Sequence, residues 1–101
     1  MLMKDELFFK TIKNFLEIYL LKQKNYSKNT QKSYRESLSL LLQYFKEELG
    51  LGYARIGFDD LTYTNVCGFL DWLTVSRGCS PQTVNLRLMA IRSFAKYSSI
   101  I

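Results

Sequence analysis

Histidine is absent from this 101-residue sequence, and cysteine, glycine and proline are scarce, at two, five and one residues. Without histidine, the side chain used most often as general base and metal ligand is missing. Cys67 and Cys79 stand twelve residues apart with no Cys-x-x-Cys spacing, so neither a zinc site nor a disulfide scaffold is indicated. Both read as reduced thiols of a cytoplasmic protein. No apolar run approaches the roughly 18 residues of a membrane span. The N-terminus, charged at Lys4, Asp5 and Glu6, lacks the apolar stretch of a signal peptide. So little proline and glycine leaves few turns, which favours a few helices over many short strands. No carboxylate pair is placed on a common helical face away from solvent, and Asp59 and Asp60, adjacent in a loop, diverge. The chain therefore reads as non-enzymatic, with no metal, cofactor or small-molecule substrate.

What is present is an ordinary globular composition, 48% hydrophobic and 23% charged, long enough for one core and one domain, 1–101. The net charge of +5 is unevenly placed. Residues 22–46 hold six Lys/Arg against one Glu, residues 47–71 one Arg against five acids, and residues 72–101 four Lys/Arg and no acid. Two separated basic stretches suggest a surface for phosphate; the alternative is that the lysines only solvate helix faces.

Apolar spacing predicts four helices, at about 5–24, 27–49, 63–76 and 81–98, in a compact all-α orthogonal bundle. The first carries the stripe Phe8, Ile12, Phe15, Leu16 and Tyr19, widened by Phe9, Leu20 and Leu21, and Asn25 and Tyr26 break the chain after it. Ser27 is the N-cap of the second, whose stripe is Tyr34, Leu38, Leu41, Leu42, Phe45 and Leu49, with Gly50 as its stop. Gly50 to Leu61 reads as a connecting loop and not a phosphate cradle, since its Gly-x-Gly follows no strand and the stretch is acidic. Thr62 caps the third helix, which carries Val66, Phe69, Leu70 and Leu73 and ends at Arg77 and Gly78. Ser80 caps the fourth, with Pro81 at its first position. Its core stripe reads as Val84, Leu88, Ile91 and Ala95, with Phe94 and Ser98 at the border.

Two polar faces remain. On the second helix Lys28, Lys32, Arg35 and Ser39 align beside the N-terminus, where the macrodipole and free N–H groups of Ser27 to Thr30 favour a phosphate. On the fourth, Gln82, Asn85, Arg92 and Lys96 share a face with Met89. Cations for phosphates and amides for base edges suit duplex DNA. The competing reading is a helical protein-interaction module whose basic face meets an acidic protein.

Ser27 to Arg35 (Ser-Lys-Asn-Thr-Gln-Lys-Ser-Tyr-Arg), followed by Leu38 and Phe45, resembles the second helix of the N-terminal core-binding, SAM-like domain of tyrosine recombinases, the phage integrases. Ser80 to Phe94 (Ser-Pro-Gln-Thr-Val-Asn-Leu-Arg-Leu-Met-Ala-Ile-Arg-Ser-Phe), with Tyr97, is similar to that domain's fourth helix. The resemblance runs from about Phe8 to Ile101. It implies half of a C-shaped clamp on double-stranded DNA, with the second and fourth helices at the major groove of a recombination half-site. It also implies contact with neighbouring protomers and a bacterial or phage origin. In that family a separate C-terminal domain cuts one strand with a tyrosine, assisted by arginines, a lysine and histidines. Nothing here matches that domain, so the chain looks like a domain excised from a longer integrase. The implied DNA contacts are Lys28, Asn29, Thr30, Lys32 and Arg35 on the second helix, and Gln82, Thr83, Asn85, Arg92 and Lys96 on the fourth. Ser27 and Ser80 would cap and touch phosphate. Arg87, at the edge of the core stripe, is open to a structural role. Met89 departs from many relatives, which carry a small residue there.

Overall fold

The computed structural model describes residues 4–23 and 25–100, all-α with no strand among them. Helix α1, Lys4–Asn14, runs on without a break into a π-helical stretch, Phe15–Gln23. Then come α2 (Lys28–Glu47), two 3-10 turns (Tyr53–Arg55 and Phe58–Asp60), α3 (Tyr63–Val75) and α4 (Pro81–Ile100). Lys24, where the sequence places the end of the first helix, lies outside the described residues.

The π stretch explains which residues of the first helix are buried. Widening the turn brings i and i+5 together, and Phe15 and Leu20, five apart, are both fully buried. Tyr19, placed on the stripe by α-helical spacing, is only half-buried.

The three helix ends use one device. A left-handed residue, Asn25 (φ 51), Gly50 (φ 68) or Gly78 (φ 64), turns the chain back. The next N–H then donates to a carbonyl inside the helix: Tyr26 to Leu20, Leu51 to Phe45, and Cys79 to Leu73, at 3.0–3.1 Å. These bonds satisfy carbonyls that would otherwise be left open, and they shorten the links between helices.

Phe94 of α4 anchors the core. Its ring lies 5.9 Å from Phe8, 5.4 Å from Phe15 and 6.2 Å from Phe58, the first two edge-on. Leu38, Leu41 and Phe45 of α2 and Phe69 and Leu73 of α3 join the same cluster. The acidic connection contributes too: Ile56 is fully buried and Phe58 packs edge-on against Phe8.

The core face of α4 differs from the stripe read in the sequence. Ala90, Ile91 and Phe94 are buried, Val84 and Leu88 are half-buried and Ala95 is exposed. The helix is rotated because its most buried sector faces α1 and α2, where Arg87 occupies a position that periodicity assigns to an apolar residue. Leu49 also lies past the end of α2 and is exposed.

Candidate nucleic-acid interface

The two cap sequences, Ser-Lys-Asn-Thr and Ser-Pro-Gln-Thr, fold identically. Ser27 Oγ accepts from the Thr30 N–H at 3.2 Å and donates to Thr30 Oγ1 at 3.0 Å. Ser80 does the same with Thr83, at 3.2 and 3.1 Å. All four hydroxyls are thus engaged in fixing the start of a helix, and the first-turn N–H groups outside this pattern are those of Lys28 and Asn29 on α2 and of Gln82 on α4, where Pro81 has none.

Beyond the caps, Lys28, Asn29, Lys32 and Arg35 of α2 are exposed, as are Gln82, Asn85, Met89, Arg92 and Lys96 of α4; Thr30 and Thr83 are half-buried. The outward face of α4 is therefore the polar face read in the sequence, although its core face is not. No acidic residue occurs from Ser27 to Arg35 or anywhere in α4. The first acid of α2, Glu36, has its carboxylate 3.7 Å from Arg87 Nη2.

The helices meet along a seam in which α4 runs back along α2. The hydroxyls of Tyr34 and Ser93 lie 3.4 Å apart, while Arg87 reaches Ser33 and Ser37. Clefts open along this seam and beside it. Asn29 and Thr30 share one of about 310 Å³ with Ser33, Tyr34, Leu86 and Met89. Arg35 lines another, about 390 Å³, beside Glu36, Ser39 and Arg87. Lys96 borders a smaller one of about 120 Å³ with Tyr19, Tyr26 and Ser93, at the entry to α2. Arg92 faces away from α2, onto a groove of about 410 Å³ between α3 and α4. The two exposed cations of α4, Arg92 and Lys96, thus share a stripe but open onto different sides. Sequence reasoning missed Leu86, Ser33 and Ser93 as surface-shaping residues; Leu86, one turn before Met89, was the available signal.

Residues 12–99 match the family described as phage integrase, N-terminal SAM-like domain. The chain belongs to this family. The matched span takes in most of the first helix and all of α2 and α3, and reaches Ser99 of α4, so both basic faces of this SAM-like domain lie within it. Two relatives are the candidate integrase/recombinase proteins y4rC and y4rD of Sinorhizobium fredii. The first is 32% identical over 88 residues, covering 87% of this chain and 26% of the relative. The second is 32% identical over 83 residues, covering 82% of this chain and 30% of the relative. The chain thus spans less than a third of the length of either. No solved structure gives a significant match. Among the described residues no cluster of three potential metal ligands occurs, and no helix is long and apolar enough to cross a membrane.

Proposed function

We propose that this chain binds duplex DNA sequence-specifically, as the non-catalytic N-terminal clamp domain of a site-specific tyrosine recombinase acting in DNA integration. The observation that carries the reading is the outward face of α4 and of the first turns of α2, with no acid from Ser27 to Arg35 or in α4, where Lys28, Lys32, Arg35, Arg92 and Lys96 are all exposed. Such cations neutralise phosphates, and the two capped N-termini add dipoles and N–H donors for the same groups. Gln82 and Asn85, in the first turns of α4, supply amides that pair with adenine edges in a major groove. Membership of an integrase domain family supports the recombination setting. In that setting the partners are a recombination half-site and neighbouring protomers, and strand cleavage belongs to another domain of the parent.

Arg92→Ala tests this directly. The variant should bind duplex about five- to a hundredfold more weakly, with helical CD signal and melting unchanged. A loss of folding would assign Arg92 to the structure, and unchanged affinity would remove it from the interface. Retention of a protein partner without any duplex affinity would favour the acidic-protein reading.

A further inference from the structure

The outward face is not polar throughout. Leu86 and Met89 are 52% and 49% exposed. With Asn29, Thr30, Ser33 and Tyr34 they line the seam cleft of about 310 Å³. One exposed apolar residue needs no explanation, but two a helical turn apart form a patch. Met89 is one turn from Asn85 and from Arg92 on the same helix, and Asn85 Nδ2 lies 3.8 Å from its sulfur. The patch therefore sits among an amide, a guanidinium and the basic start of α2. No acid lines the cleft, and Glu36, the nearest acid of α2 in sequence, has its carboxylate 3.7 Å from Arg87, so this surface is complementary to a polyanion.

We infer that Leu86 and Met89 form an apolar reader of thymine C5-methyl groups, a specificity determinant within the DNA-binding face; this rests on the DNA-binding reading above. Thymine is the base that presents a methyl group at the major-groove edge, and an apolar side chain is what recognises it. Methionine suits the task because its unbranched thioether adapts to an irregular surface. Asn85, whose amide nitrogen lies 3.8 Å from the Met89 sulfur, offers its amide to a base beside the methyl. Phosphate contacts from the cations fix the register but carry no sequence information, so discrimination falls to these uncharged groups.

The test starts by selecting a preferred duplex from a random-sequence pool with the 101-residue chain. Thymines of that duplex are then replaced one at a time by uracil, which removes the methyl alone. At one or two positions uracil should weaken wild-type binding about fourfold per methyl. Leu86→Ala/Met89→Ala should bind thymine and uracil duplexes alike, with wild-type melting and salt dependence. If the double variant loses its cooperative melt, Met89→Ala alone should show part of the same loss of discrimination. Duplex binding that is indifferent to uracil at every position overturns the inference, as does discrimination that survives in the variants. No affinity for any duplex would instead remove the DNA-binding reading, and this inference with it.

Discussion

Arg87 Nη1 donates to Ser37 Oγ at 3.1 Å, joining α4 to α2 through a serine that is itself fully buried. The same nitrogen lies 3.3 Å from the Ser33 carbonyl, and the Ser37 hydroxyl donates to that carbonyl at 2.7 Å. With its side chain only 16% exposed, Arg87 is a tie between α2 and α4 and not one of their outward cations.

Replacing it should therefore act on stability first. Arg87→Ala is expected to lower the unfolding free energy by about 1.5–3 kcal/mol, the worth of hydrogen bonds from a charged group to the partly buried seam. Arg87→Lys should recover little, because an ammonium cannot reproduce the guanidinium fork. Urea denaturation of the three proteins measures this. Unchanged stability with weakened duplex binding would place Arg87 on the interface instead.

Gly68 sets the approach of α3 to α2. A methyl group there would run into the Tyr44 hydroxyl and lie 3.3 Å from its Cζ. The Tyr44 ring has little room to yield, with Phe69 at 5.8 Å and Trp72 at 5.6 Å. Gly68→Ala should destabilise by about 1–3 kcal/mol, overriding the roughly 1 kcal/mol that alanine offers over glycine in a helix. Adding Tyr44→Phe should restore part of the loss, and a thermal-melt double-mutant cycle measures the coupling.

Tyr44 also predicts an alkaline limit. Burial, then the charges of Glu48 and Asp71, raise its phenol above the ordinary value of 10.0. The folded state thus holds this proton more tightly than the unfolded state. The associated stability is complete below the unfolded value and is lost as pH rises through the higher folded value. Stability should fall more steeply above about pH 10 in the wild type than in Tyr44→Phe. Tyr63, raised by its hydrogen bond with Cys67, is present in both proteins, so the difference isolates Tyr44. Parallel pH profiles would contradict the assignment.

The caps and the outward faces were legible because their signals are local. A serine three residues before a threonine, a proline at the first position and cations spaced by helical turns need no knowledge of neighbours. The core of α4 was not legible in the same way. Periodicity ranks Ala95 with Ile91, but only the placement of α1 and α2 decides that Phe94 and Ala90 face inward. A charged residue in the most buried sector hid that rotation, since Arg87 is recognisable as core only once Ser33 and Ser37 stand opposite it. The π stretch was hidden for a related reason: Leu20 is reached from Phe15 through a wider turn than α-helical counting allows. Ile56 and Phe58 lay in an acidic, glycine-containing link that looks solvated until Phe8 and Phe94 are seen packed over it. The groove of Leu86 and Met89 needed two helices side by side.

The measurement closest to the central claim is the affinity of the chain for a duplex across a range of salt concentrations. If Lys28, Lys32, Arg35, Arg92 and Lys96 neutralise about five phosphates, log K should fall against log salt with a slope of roughly −4 to −5. A flat dependence, or no duplex affinity at low salt, would contradict the two-helix grip.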